Sequence, residues 1–347
     1  MTYELSYKTH KCPHNPSLRA VFVALLCVLL SSCDNSPEPV KDKLQVRINV
    51  DWSDYSKNTP TGMTVVCHHT ESGENTQIID DNTSYVTPWL SPGRHYATVF
   101  NLTEEEFDNI RFCGLESAET AEAYASAQDA PKWYDAPADG DHYIAGQPEW
   151  LATDMILTAP VESIPDGGQA DEKAIGTLGP RNIVYTLHVT IHTENIGNLR
   201  AVRGAISGLA SGRRLADKHP NDNDVTVTHL IGSDCWTRQR TASNPNIGFV
   251  QADVRCFGLP GNHLGTPEEN RLELQVLLAD GKTVIRYNLP VGHLIGKSHP
   301  TPDRQGDNLD LYLEWRLDPP LPPGSGGGGM DVWLDDWDDH VDFDVPI

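Results

Sequence analysis

Apolar and polar residues alternate at period two through most of this chain, and that spacing predicts strands whose two faces meet different surroundings. "KLQVRINVDW" sets Leu44, Val46, Ile48, Val50 and Trp52 on one side with polar residues between them. "GMTVVCHH" repeats the pattern with Met63, Val65 and Cys67, and "YVTPWLSPGRHYATVFN" predicts a strand, a Ser-Pro-Gly turn and a second strand from Tyr96 to Phe100. The clearest case is "NIVYTLHVTIHTENIG", where Tyr185, Leu187, Val189 and Ile191 face one way and His188 and His192 the other. "LELQVLLADGKTVIRYNLP" predicts a hairpin, because Asp280-Gly281 separates two alternating arms. "LRAVRGAISGLASG", "DVTVTHLI", "GFVQADVRCFGL" and "LDLYLEWRL" extend this second set of strands.

Elsewhere the pattern breaks. "LTEEEFDNIRF" and "SAETAEAYASAQ" are helical in composition, with Thr103 placed to cap the first. A Pro/Asp/Gly-rich stretch from Asp129 to Pro148 predicts loop, after which "TDMILTAPV" resumes a strand.

A length of 347 residues exceeds the about 250–300 at which single cores stop growing, so two domains are expected. With 25 Pro and 28 Gly spread along it, the chain suits short strands joined by turns. The expected fold is all-β, with two tandem Greek-key β-sandwiches at residues 44–165 and 181–318 joined by a linker at 166–180. A Pro/Gly spacer at 319–330 then leads to an acidic strand segment at 331–347.

At the N-terminus, Arg19 precedes an apolar run from Ala20 to Leu30 that ends in Leu30-Ser31-Ser32-Cys33. The run falls short of the roughly 20 residues needed to span a bilayer, and the order of charge, apolar stretch and small residues marks residues 1–33 as an export signal. Leu-Ser-Ser-Cys resembles the bacterial lipobox, which implies that Cys33 is acylated and anchors the protein to the outer membrane at the cell surface. Residues 34–43, polar and proline-bearing, form the tether.

Removing residues 1–33 takes away three basic groups and one acidic group, leaving 23 basic against 48 acidic residues, a net charge of −25. Such a field repels phosphates and disfavours nucleic acid as a partner. Beyond Cys33 four cysteines remain, Cys67, Cys113, Cys235 and Cys256. Export permits disulfides, and pairing Cys67 with Cys113 and Cys235 with Cys256 keeps each bridge within one domain; buried free thiols are the alternative.

Catalytic constellations are missing: there is no Gly-x-Ser-x-Gly, His-Glu-x-x-His, P-loop or dinucleotide fingerprint. His188 and His192 stand about 13 Å apart on one strand face, too far to share a metal, and His68-His69 are adjacent in sequence. "HPNDNDVT" and "HPTPDRQGDNLD" do not fit a calcium loop and read as turns. Asp335, Asp336, Asp338 and Asp339 suit a solvated strand edge or weak calcium binding. We therefore expect no enzyme, no cofactor and no metal.

In order along the chain, the lipobox, "LSPGRHYATVFN", "VYTLHVTIHTENIGNLRAVRGAISGLASG", "LELQVLLADGKTVIRYNLPVGHLI" and "GGGGMDVWLDDWDDHVDFDVP" resemble a fimbrillin-type lipoprotein of Bacteroides-like bacteria, of the DUF5119 type. The resemblance covers most of residues 40–347. It implies two transthyretin-like sandwiches, transit as a lipoprotein on Cys33, and a structural or adhesive role in a fimbria in which one subunit donates a strand to the next. In stalk subunits a protease removes the first strand after a basic residue; Lys43 and Arg47 are the basic residues nearby. The partners implied are other fimbrial subunits. An alternative is an outer-membrane lipoprotein that binds glycan or protein ligands, with Trp133, Tyr134 and Trp150 as stacking aromatics.

The C-terminal segment fits either a donated or a docked strand: Val341, Phe343 and Val345 alternate with Asp342 and Asp344, and the spacer Pro320–Gly329 reaches about 17 Å. A disordered acidic tail is the third reading of the same residues.

Overall fold

A computed structural model describes residues 43–55, 60–103, 106–134, 142–162, 174–216, 226–260, 270–297, 310–323 and 341–344. Cys33, the rest of the export signal, Val345 and the Asp335–Asp339 cluster lie outside these residues. In chain order the first strands are β1 (Leu44–Gln45), β2 (Arg47–Val50), β3 (Met63–His69), β4 (Asn75–Asp80), β5 (Tyr85–Val86), β6 (Trp89–Leu90) and β7 (His95–Phe100). Then come β8 (Ile110–Cys113), β9 (Glu122–Ala125), β10 (His142–Ala145), β11 (Ala152–Leu157), β12 (Ala174–Leu178) and β13 (Arg181–Asn182). The second half contributes β14 (Tyr185–Glu194), β15 (Leu199–Ala210), β16 (Gly212–Arg214), β17 (Thr226–Ile231), β18 (Thr237–Arg240) and β19 (Ile247–Cys256). It ends with β20 (Arg271–Leu278), β21 (Thr283–Pro290), the short helix α1 (Gly292–Lys297), β22 (Asp310–Arg316) and β23 (Val341–Asp344).

Two sandwiches result. In the first, a five-stranded sheet ordered β13-β11-β7-β3-β4 packs on a three-stranded sheet ordered β12-β2-β5 and on the β1-β6 pair. Val46, Ile48 and Val50 bury one face of β2 against Val65 and Cys67 of β3 and Val99 of β7, the period-two set read from the sequence. Trp52, the last member of that set, leaves the strand in a single 3-10 turn and donates its indole N–H to the Thr83 carbonyl at 2.8 Å. Every residue of β3 is buried, not only alternate ones. Its second face, through Val66, joins Phe100 and Met155 in a larger core that continues into the second sandwich.

That second sandwich lays a six-stranded sheet, β10-β17-β15-β20-β21-β23, on a four-stranded one, β18-β19-β14-β22. Leu187, Val189 and Ile191 of β14 are fully buried between the sheets, while His188 and His192 stand on the outer face, partly exposed. The β20–β21 hairpin turns at Asp280-Gly281 as expected: Gly281 takes φ +68°, and the Asp280 carboxylate accepts from the Lys282 and Thr283 N–H groups at 2.9 Å each. Such a positive φ favours glycine.

Four expectations are corrected. The two stretches expected as helical excursions carry strands, β8 from Ile110 at the end of the first and β9 within the second, which join β16 in a three-stranded sheet; Ala121, Ala123 and Ala125 bury their methyl groups there, and small side chains let this sheet close on the core. The stretch 129–148, expected as loop, contains β10, which pairs in parallel with β17 and so inserts a strand from the first half into the second sandwich. Ala174–Leu178 of the expected linker is strand β12, parallel to β2, with Ile175 and Leu178 buried in the first core. The spacer does not begin at Pro319: Leu321 is fully buried, and its carbonyl accepts from the side-chain amides of Asn195 and Asn198 at 3.1 Å each.

Candidate strand-docking edge

The six-stranded sheet is built from the antiparallel set β17-β15-β20-β21, and each of its margins is completed by a strand distant in sequence. β10 lies parallel to β17 on one side and β23 parallel to β21 on the other. A parallel pair needs a long crossover, so neither margin can be closed by a tight hairpin. Both are places where a remote segment supplies hydrogen bonds that the edge strand would otherwise leave to water.

On the β21 side the register pairs Val341 with Thr283, Asp342 with Val284, Phe343 with Ile285 and Asp344 with Arg286. Val284 and Ile285 are buried on opposite faces: Ile285 belongs to the main core, and Val284 packs with Leu277 beside Ala201 on the outer face. Thus the adjacent positions Asp342 and Phe343 of the incoming strand stand beside the two buried positions of β21, and Val341 and Asp344 stand beside its partly exposed ones. Of the tail residues singled out from sequence, Val341 and Phe343 fall in this strand.

On the β17 side the insertion is tied down by side chains. His229 hydrogen-bonds through Nδ1 to the Ala145 carbonyl at 3.1 Å, Gln147 donates to the Leu230 carbonyl at 3.2 Å, and the Gln147 side-chain oxygen accepts from the Arg255 N–H at 3.1 Å. Burial holds His229 down to about 4 against that hydrogen bond, so its imidazole is neutral at ordinary pH. No motif in the sequence marks this anchor, since its partners lie more than eighty positions apart.

Other candidates are placed elsewhere. Tyr134 is buried, Trp133 packs beside it under the Arg203 guanidinium at 4.9 Å, and Trp150 lies against the main core. These aromatics are packing residues and do not form an exposed stacking platform, which corrects the glycan reading of them. His188 bridges Asp253 at 2.7 Å and Asp310 at 3.4 Å and stacks on Tyr312, while His192 tilts against Phe249. Among the described residues no group of three or more His, Cys, Asp or Glu could hold a metal ion.

Cys67, Cys113, Cys235 and Cys256 are not bridged to one another, so neither expected disulfide is formed. Cys67 and Cys256 are fully buried in separate cores, and burial pushes each thiol up to about 12. Cys113 lies on β8, outside the core that holds Cys67, and Cys235 is exposed in a turn. No helix among the described residues is long and apolar enough to cross a membrane.

The model of one family, a domain of unknown function (DUF5119), matches residues 38–229, more than half of the chain. The protein belongs to DUF5119. The match runs from before β1 into β17 and so includes the whole first sandwich and the inserted strand β10. Among solved structures this DUF5119 protein is similar to a candidate adhesin from Bacteroides ovatus, at 16% identity and a TM-score of 0.49, covering 88% of this chain and 94% of that one. It is also similar to the fimbrial anchor protein Mfa2 from Porphyromonas gingivalis, at 11% identity and a TM-score of 0.43, covering 79% and 90%. No curated protein matches it in sequence.

Proposed function

We propose that this protein is a non-enzymatic, lipid-anchored protein of the outer membrane that assembles with fimbria-like subunits at the cell surface, with the β21 edge and the C-terminal strand as its assembly device. The observation that carries the reading is the parallel β21–β23 pair. A segment reached only through residues 324–340 occupies an edge whose neighbouring positions Val284 and Ile285 are both buried. A strand attached in this way can close its own sheet or that of a neighbouring copy with the same register. Cys33 would hold the first sandwich to the membrane through the tether, leaving the second sandwich as the end that meets partners.

Light scattering on the full chain, with and without residues 324–347, tests this reading. Mixing the truncated chain with the intact one should yield a heterodimer in which the intact tail fills the vacant β21 edge. If both chains stay monomeric in the mixture and melt at the same temperature, the tail contributes nothing to that edge and the reading fails.

A further inference from the structure

Where the chain enters the first sandwich, three polar side chains meet. Lys43, one residue before β1, makes an ion pair with Glu74, and Glu74 also accepts from the Ser91 hydroxyl at 2.5 Å. Ser91 directly follows β6, the sole partner of β1 among the described residues. Beneath them lies a pair of imidazoles, His69 on β3 and His95 on β7, edge to face with centroids 4.9 Å apart.

Hydrogen bonds fix the state of His69. Its Nδ1 accepts from the Glu71 and Ser72 N–H groups at 3.2 and 3.0 Å, so its proton is on Nε2, which donates to the Pro92 carbonyl at 2.9 Å. His95 is only 2% exposed, and its Nδ1 is buried without a hydrogen-bond partner. Burial first and the neighbouring His69 second hold its pKa down to about 4, with Glu74 and the Gly93 backbone pulling the other way and Lys43 adding to the depression. A second proton on His95 therefore meets a hostile site, buried beside a second imidazole and without a partner at Nδ1.

The turn Ser91-Pro92-Gly93 is the lid over both rings. Gly93 takes φ +127°, and a side chain there would collide with the His69 imidazole. Beyond it the chain is pinned, because Gly93 and Val161 exchange backbone hydrogen bonds at 2.9 and 2.7 Å. Upstream it is held weakly: the β1–β6 ladder has two residue pairs, supplemented by the Val46 N–H to the Pro88 carbonyl at 3.0 Å. Short ladders of this kind are the first to open locally.

We propose that the Lys43–Glu74–Ser91 clasp and the imidazole pair beneath it form an acid-operated latch on the entry strand: protonation lifts the Ser91–Pro92 turn about Gly93, β6 moves with it, and β1 and Lys43 are released. The sign follows from the buried, neutral imidazole. Its contribution is fully present above the unfolded histidine pKa and is lost as pH falls toward the folded value. Glu74, held low by Lys43 and Ser91, acts in the same direction at still lower pH. The latch stands independently of the assembly reading, since it concerns the opposite end of the chain.

Amide hydrogen exchange on the full chain, corrected for intrinsic rates, tests it. Between pH 7.5 and pH 5.0 the Val46 amide should lose protection by roughly 25-fold, the ratio set by an imidazole that titrates near 4 when closed and 6.5 when open. The amides of Val65 and Val99, which open only with the whole sandwich, should remain far better protected than that of Val46 at both pH values. In His95→Gln the pH dependence at Val46 should vanish while the protein remains folded. Unchanged protection at Val46, or protection at Val46 equal to that at Val65 at both pH values, would overturn the latch, and that comparison within the native chain stands even where the variant fails to fold.

Discussion

His229 on β17 donates from Nδ1 to the carbonyl of Ala145 on β10, and this 3.1 Å contact joins a strand from the first half of the chain to the sheet of the second sandwich. Burial sets the chemistry of the contact: the ring is fully enclosed and its Nε2 has no partner, so it can be held only in the neutral form. Its depressed pKa makes the unfolded chain the better proton acceptor between about pH 4 and 6.5. Stability should therefore fall as pH drops through that window, by about 2 kcal/mol from this group between pH 7.5 and 5. Urea denaturation of the native chain and His229→Leu at both pH values checks this. The variant should be less stable at pH 7.5, where it loses the hydrogen bond, and should show a shallower acid dependence.

Trp133 gives the second prediction. Its ring lies under Arg203, its carbonyl accepts from the Gln275 side chain at 2.9 Å, and it packs with Tyr134 against Ala205. Trp133→Ala should lower unfolding stability by about 2 kcal/mol, less than for a fully buried tryptophan because part of the ring meets solvent. Thermal melting reads the loss directly. A variant that melts like the native chain would return Trp133 to the pool of surface ligand-binding aromatics.

How much of this was legible in the sequence depended on how locally each element is determined. β14 and the β20–β21 hairpin carry their own period-two pattern and turn residues, and both form where expected. β9 was misread because Glu and Ala favour helix, whereas burial of Ala123 and Ala125 against the core selects a strand. β10 is four residues in a Pro/Gly-rich stretch, and its partner β17 is remote, so no local signal exists for it. Leu321 was hidden in a run of prolines that reads as spacer until Asn195 and Asn198 are seen to hold its carbonyl. The tail's alternation was legible, but its choice of β21 was not, because one pattern fits many edges.

Thiol chemistry gives the third prediction. With Cys67 and Cys256 sealed in the two cores and their thiols pushed up to about 12, neither should react with iodoacetamide in the native state. Cys235, exposed, should be the fastest to label. All four should label after denaturation without a reductant, as read by intact mass. A mass showing two unreactive cysteines under those conditions would mean that a bridge had formed.

Gly93 gives the fourth. Its φ of +127° and its closeness to His69 leave no room for a Cβ. Gly93→Ala should destabilise the first sandwich by about 1 kcal/mol or more, while Gly73→Ala, also at positive φ but in open space, should cost less. Calorimetry of the two variants separates backbone strain, common to both, from the collision unique to Gly93.

The central claim is that the β21 edge accepts a C-terminal strand, and the most direct measurement is binding of a synthetic peptide spanning residues 331–347 to a chain ending at Pro323. Isothermal titration should give one saturable site on the truncated chain and none on the intact one, whose edge is filled by β23. Ile285→Asp, which places a carboxylate on the edge strand where the register sets Phe343, should weaken that site. Equal binding to both chains, or none to either, would contradict the account.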